Sequence, residues 1–134
     1  MLKADYFLFV ESTSHGDNGK LTLHNLFDIV YAEKFPTIQR PFLAAFRLIP
    51  TKKPIINQKL DLKIVSYLNG KEIAKLEASV DATVEMEGAL GSAVDLSQFP
   101  FEEPGKYIFK LYINGKELAE RPLLVKSTDE LSEK

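Results

Sequence analysis

Asn-Gly, the dipeptide best suited to a tight β-hairpin turn, occurs three times in this chain and is followed by lysine each time: Asn18-Gly19-Lys20, Asn69-Gly70-Lys71 and Asn114-Gly115-Lys116. Both residues tolerate the positive φ that such turns require. The last two copies sit in a longer shared phrase. Tyr67-Leu68-Asn69-Gly70-Lys71-Glu72-Ile73-Ala74 runs parallel to Tyr112-Ile113-Asn114-Gly115-Lys116-Glu117-Leu118-Ala119. Upstream the match ends, because Leu62-Lys63-Ile64-Val65 does not align with Tyr107-Ile108-Phe109-Lys110. The repetition therefore reads as two hairpins sharing one good turn, and not as a duplicated unit. Hairpins at this frequency predict an all-β, antiparallel β-sandwich of about seven to nine strands.

The middle hairpin can be read at the level of register, since apolar residues must oppose one another across a ladder. A strict two-residue loop at Asn69-Gly70 pairs Ile64 with Lys75 and Leu62 with Glu77. A three-residue loop, Asn69-Gly70-Lys71, instead pairs Leu60 with Val80, Leu62 with Ala78, Ile64 with Leu76 and Ser66 with Ala74. It also sets Lys63 against Glu77, a favourable cross-strand pair. The expectation is a turn-plus-bulge hairpin with Gly70 at positive φ.

Other segments follow the same logic. Tyr6 to Val10 is a continuous apolar run, read as a strand buried on both faces. Ser12 to Gly19 reads as a polar loop. Leu21, Leu23, Phe27 and Ile29 recur at odd positions and suit a second strand paired with the first. Residues 26–35 also fit a helical spacing, but β-branched and aromatic residues and the stop at Pro36 favour a strand. Phe42, Ala44, Phe46 and Leu48 line one face of the next strand, with Arg47 marking the other as less buried. Asp81 to Gly91 is irregular, with Gly88-Ala89-Leu90-Gly91 read as a mobile tip. Ala93 to Phe99 resumes an extended pattern before a corner at Pro100, Pro104 and Gly105. Tyr107, Phe109, Leu111 and Ile113 then mark an inner face. Pro122 cannot donate to a ladder, so its strand is expected at an edge or bulged near Arg121-Pro122. Residues 1–126 are read as one sandwich domain, and residues 127–134 as a disordered polar tail.

Composition removes several function classes. With 134 residues and 45% apolar content, the chain can build a core without staples. It has no cysteine, so thiol catalysis and thiolate metal sites are excluded. A net charge of −2 gives no basic field for phosphates, so no nucleic-acid partner is expected. The opening apolar run is too short for a signal peptide or a membrane span, so a soluble, cytoplasmic protein without membrane contact is expected.

Pro104-Gly105-Lys106-Tyr107-Ile108-Phe109, the Asn-Gly turn and Pro122-Leu123-Leu124-Val125 together resemble the last hairpin of immunoglobulin-like and filamin-like sandwiches. That resemblance implies a tyrosine whose hydroxyl bonds back to the backbone, a role that falls to Tyr107. A wider pattern covers most of the chain: an early apolar strand, Gly19-Lys20-Leu21-Thr22-Leu23, Phe27-Asp28, Phe35-Pro36 and the late Pro-Gly-x-Tyr hairpin ending in Leu-x-Val. It resembles a largely bacterial family of single-domain proteins filed as a domain of unknown function. The resemblance implies a sandwich and no activity. Members of that family often carry a cysteine in the first strand, where this chain has Phe9-Val10.

Candidate sites are few. His15 and His24, the only histidines, read as surface residues and too few for a zinc site. Ser12, Thr13, Ser14, His15 and Asp17 hold the letters of a hydrolase triad, but contiguous residues on one loop do not supply its geometry. Asp28 with Glu33, Glu85 with Glu87 and Glu102 with Glu103 read as solvated acids, since no tryptophan platform for sugars exists. Asp61, Asp81 and Asp95 have no calcium-loop spacing. No cofactor is expected. Phe35, Phe42, Phe99 and Phe101 lie at segment ends beside prolines and read first as core plugs. Together with Met86 and Leu90 they are also the candidate positions for an interaction patch. The leading expectation is a non-catalytic interaction or accessory domain with a protein partner, a homodimer among the candidate assemblies. The alternative is a small-ligand-binding β-domain with a pocket between the sheets or at their end.

Overall fold

A computed structural model describes residues 2–17, 20–51, 58–82 and 90–128 of the chain. Its strands are β1 (Leu2–His15), β2 (Leu21–Leu26), β3 (Ile29–Ala32), β4 (Thr37–Ile38), β5 (Leu43–Pro50), β6 (Gln58–Leu68), β7 (Lys71–Ala82), β8 (Leu90–Asp95), β9 (Pro100–Phe101), β10 (Gly105–Ile113) and β11 (Lys116–Ser127). There is no α-helix among the described residues. Among the described residues nine strands form two sheets, a four-stranded one in the order β2-β1-β5-β8 and a five-stranded one in the order β3-β11-β10-β6-β7. β4 and β9 make a two-stranded clip. The order β1-β5-β8 opposite β11-β10-β6-β7 is that of strands A-B-E and G-F-C-C′ in an immunoglobulin-like sandwich. The β-sandwich fold is therefore as expected, with the expected number of strands in its two sheets and the short clip in addition.

The inward faces carry the apolar alternation. Phe42, Ala44, Phe46 and Leu48 are wholly buried, and so are Phe109, Leu111 and Leu123. The centre is aromatic: the Phe109 ring lies 5.1 Å from Phe9, 5.8 Å from Phe42 and 5.7 Å from Phe99. Most of these contacts are edge-on or tilted, as the ring quadrupole prefers. Tyr107 closes one end, its ring 4.9 Å from Phe101 and its hydroxyl donating to the Glu103 carbonyl at 2.6 Å. Tyr107 thus makes the corner that the late Pro-Gly-x-Tyr motif implies.

The β6–β7 hairpin pairs Leu60 with Val80, Leu62 with Ala78, Lys63 with Glu77, Ile64 with Leu76 and Ser66 with Ala74, as the apolar pattern requires. The loop itself is corrected. Leu68 pairs with Lys71 across a two-residue Asn69-Gly70 turn, and the register shifts one step later, between Ser66 and Tyr67. Positive φ at both Asn69 (56°) and Gly70 (78°) defines a type I′ turn, whose twist matches the flanking strands. The β10–β11 hairpin does the same. Ile113 pairs with Lys116, the shift falls between Leu111 and Tyr112, and Asn114 and Gly115 have φ of 50° and 82°. In each copy of the octapeptide the turn stays tight and a bulge restores the face of the apolar residues.

Further expectations are revised. β1 continues to His15, and Ser12 to His15 pair with β2, so the polar loop starting at Ser12 is replaced by a hairpin arm. Alternate polar residues suit this arm because it projects beyond the first β5 partner, Leu43, and is exposed. The Tyr6 to Val10 run is buried on one face and half-buried at Tyr6 and Leu8 on the other. Residues 29–32 are a strand and not a helix, as favoured, but β3 leaves β2 and pairs in parallel with β11. β11 is an edge strand only before that pairing begins at Leu124, and Pro122 sits in this uncovered part without a bulge. Ser127 and Thr128 are paired to β3, so the tail cannot begin at 127. Leu90 and Gly91 belong to β8 rather than to a tip. Residues 83–89, 129–134 and Asn18-Gly19 lie outside the described residues.

Candidate interaction face

The aromatic positions first considered for a patch divide. Phe42, Phe99 and Phe101 are buried in the core, at 0%, 3% and 1% exposure, so they cannot contact a partner; they act as plugs between the sheets. Phe35 is half-buried and packs against the same core. Met86 and the side chain of Leu90 lie outside the described residues.

The surface that brings aromatic, apolar and charged side chains together is the outer face of the five-stranded sheet, which sequence reasoning did not single out. Residues whose register partners point away from the core fall into rows across it. One row runs Ile29, Leu124, Lys106; the next runs Pro122, Ile108, Tyr67, Glu72; then come Glu120, Lys110, Val65, Lys75; and then Glu117, Tyr112, Lys63, Glu77. Ile29 is 38% exposed, Pro122 is exposed, and Leu124, Ile108, Tyr67 and Tyr112 are half-buried. One corner is thus apolar and accessible, and charged residues edge it.

Tyr67 and Tyr112 open the two octapeptide copies. β6 and β10 are antiparallel with Val65 opposite Lys110, so the local two-fold of the ladder passes through that pair and carries Tyr67 onto Tyr112. The two hydroxyls meet at 3.4 Å. Lys63 lies 4.9 Å above the Tyr112 ring and Lys110 5.5 Å above the Tyr67 ring, while Lys110 also pairs with Glu117 at 3.3 Å. These contacts are cation–π pairs on a sheet surface. Beneath them Val65 is 1% exposed although it belongs to the outer face and not to the core cluster. The tyrosines and lysines thus meet in one interconnected cluster on the same face as the buried Val65. The Tyr67 hydroxyl bond, with burial and the Tyr67 charge adding to it, holds the Tyr112 proton and pushes its pKa up to about 12.

Other polar groups are scattered. His24 Nε2 and the Ser14 hydroxyl lie 2.8 Å apart on the exposed β1–β2 arm, and no carboxylate among the described residues orients the ring. His15 is exposed at the strand end and lines a 270 Å³ cleft with Thr13, Leu21, Ser92 and Ala93. Asp61 lies beside the β10–β11 turn, where its N–H donates to Asn114 Oδ1 at 2.9 Å, and so sits far in the fold from Asp95. The Asp95 carboxylate accepts from the Ser97 side chain and N–H, the latter at 2.8 Å, and with the Arg40 charge nearby is held below the usual range. No cluster of metal-ligating side chains occurs among the described residues. At this end of the sandwich Arg40 borders two clefts: one of 570 Å³ with Pro41, Asp95, Ser97 and Gln98, the other of 500 Å³ with Pro36, Thr37, Ile38, Pro100 and Glu102. A further 460 Å³ cleft lies along Asp61 to Lys63, Glu77 to Ser79 and Gly115.

Residues 5–126 match the model of a family of unknown function, DUF6941. The chain belongs to the DUF6941 family. Membership names no activity. No curated protein matches the chain. Among solved structures, the alkylpurine DNA glycosylase AlkC of Pseudomonas fluorescens, bound to DNA containing an abasic site analogue, is similar at a TM-score of 0.52 with 11% identity. The similarity covers 93% of this DUF6941 chain but only 30% of the glycosylase, so this chain spans under a third of that protein and shares a fold with that part. An immunoglobulin-like protein from Pseudomonas aeruginosa aligns over 93% of this chain and 96% of its own, at 14% identity and a TM-score of 0.45. No helix among the described residues is long and apolar enough to cross a membrane.

Proposed function

We propose that this protein is a non-catalytic interaction domain, soluble and cytoplasmic, that binds a protein partner through the outer face of its five-stranded sheet. The observation that carries the reading is the row structure of that face. Tyr67, Ile108, Pro122, Leu124 and Ile29 are contiguous by register, partly exposed, and edged by Lys106, Glu120, Lys110 and Glu72. Interfaces favour such a composition, with apolar and aromatic residues inside a rim of charges. Tyrosines already fixed by hydroxyl and lysine contacts lose little freedom when a partner docks. The test is affinity capture from the native host with the wild-type chain beside a Tyr67→Ala, Ile108→Glu variant. A partner recovered by the wild type and lost from the folded variant supports the face. Equal recovery by both removes it from the binding surface.

The Arg40 clefts favour a second reading, a small anionic ligand bound at the end of the sheets. There, Arg40 would supply charge and the exposed Ile38 an apolar wall. Ligand screening by thermal shift, with Arg40→Ala as control, distinguishes the two.

A further inference from the structure

Among the described residues β7 is the outermost strand of the five-stranded sheet, and its twelve residues make it a long edge. Long edges are normally blunted by proline, bulges or inward charges, because they offer a row of unpaired backbone groups. β7 contains no proline, and its bulge is confined to the turn end, where the register shifts opposite Ser66 and Tyr67. From Ala74 to Ser79 the strand is regular. Ala74, Leu76 and Ala78 oppose Ser66, Ile64 and Leu62 on the core side, while Lys75, Glu77 and Ser79 oppose Val65, Lys63 and Asp61 on the outer side. Leu76 is only half-buried and Ala78 is exposed, so the core is left open along this rim.

We propose that β7 pairs antiparallel with β7 of a second copy of this chain, on a two-fold axis at Leu76. Residues directly opposite in an antiparallel ladder share a face. Only two-fold centres that fall on a residue therefore keep the core side of one copy beside the core side of the other. Centring on Lys75 or Glu77 sets that residue against its own like charge. Centring on Leu76 sets Lys75 against Glu77 of the second copy, twice by symmetry, on the outer side. On the core side it sets Leu76 against Leu76 and Ala74 against Ala78, which closes the open rim. The existing contact between Lys75 and Glu77 within one chain is loose, 3.9 Å between side chains 55% and 62% exposed, so both groups are free to turn to the neighbouring copy. The result is one continuous ten-stranded sheet whose two tyrosine faces look the same way. The proposal stands independently of the partner-face reading.

Sedimentation velocity of the full chain over a concentration series tests it. The wild type is expected to dimerise. Lys75→Glu and Glu77→Lys each place like charges across the two-fold and are expected to weaken the dimer by about tenfold or more. An equimolar mixture of the two variants restores both opposite-charge pairs and is expected to recover the wild-type affinity as a heterodimer, and so is the Lys75→Glu, Glu77→Lys double variant. Both positions are exposed, and matched thermal melts verify the fold; Lys75→Gln and Glu77→Gln give the milder loss if either reversal fails to fold. A wild type that stays monomeric at sub-millimolar concentration, or a dimer indifferent to these changes, overturns the proposal.

Discussion

At the scale of single residues, the tyrosine pair is the most specific arrangement in the molecule. The proton held by Tyr112 depends first on the hydroxyl of Tyr67, so Tyr67→Phe is expected to bring the Tyr112 pKa down from about 12 toward the ordinary tyrosine value. Absorbance titration at high pH measures this directly, and an unmoved Tyr112 transition would show that the 3.4 Å contact does not hold the proton. Tyr112 is raised in the folded state, so its contribution is whole below the unfolded value near 10 and disappears as pH rises through about 12. Denaturation midpoints should accordingly fall more steeply between those pH values in the wild type than in Tyr67→Phe. Burial likewise raises the Tyr107 hydroxyl, which serves structure by donating to Glu103. Tyr107→Phe is expected to cost about 1 kcal/mol in urea unfolding, the usual net worth of one such hydrogen bond.

At the scale of elements, the two copies of the octapeptide allow an internal comparison. Asn69 and Asn114 adopt the same left-handed conformation in the same kind of turn. Only Asn114 also holds a neighbouring strand: its N–H donates to the Asp61 carbonyl at 2.8 Å and its side chain accepts from the Asp61 N–H at 2.9 Å. Asn114→Ala should therefore be more destabilising than Asn69→Ala by about 1 kcal/mol, one hydrogen bond's worth; equal losses in parallel urea melts would assign the whole effect to the turn. Gly70→Ala and Gly115→Ala should each lose about 1 kcal/mol, because the left-handed conformation penalises a Cβ, although open space surrounds both positions. The hairpin also shows which inferences a sequence carries. Pairing of Ile64 with Leu76 was legible because a slip by one residue would have put Lys75 into the core. The place of the extra residue was not. Loop and bulge give the same register beyond Ser66, so the apolar pattern cannot distinguish them.

At the scale of the whole molecule, stability rests on the aromatic cluster between the sheets. Phe109 touches Phe9, Phe42 and Phe99 from the opposite sheet and the closing loop. Phe109→Ala is expected to cost about 3–5 kcal/mol, a large share of the total for a domain this size. Chemical denaturation measures it, and a loss below about 1 kcal/mol would mean that the core collapses into the cavity without penalty. The outer face of the five-stranded sheet, the proposed partner face, is the counterpart on the outside. Its residues come from β3, β6 and the β10–β11 hairpin, three segments that are far apart in the chain. Tyr67 in the repeated octapeptide and Pro122 stand out locally, but Ile29, Ile108 and Leu124 carry no local signal stronger than strand alternation. The short segment 29–32 illustrates why: its apolar residues suit a strand anywhere, and only parallel pairing with β11 sets Ile29 beside Leu124.

What the sequence determined by itself were the local and alternating features. A turn at each of Asn69-Gly70 and Asn114-Gly115, the positive φ of Gly70, the inner faces of β5 and β10 and the register of β6 with β7 follow from steric limits on φ and from the need to hide apolar side chains, whereas the corner at Tyr107 was implied by the resemblance of the last hairpin to other sandwiches. Both constraints act between chain neighbours or across one hairpin. Tertiary structure alone decided which phenylalanines beside prolines are plugs, where β3 goes, and that the two repeated tyrosines meet. Those outcomes depend on which strands lie side by side, and a pairing between distant segments is chosen by the packing of the complete pair of sheets, which no short stretch of residues encodes.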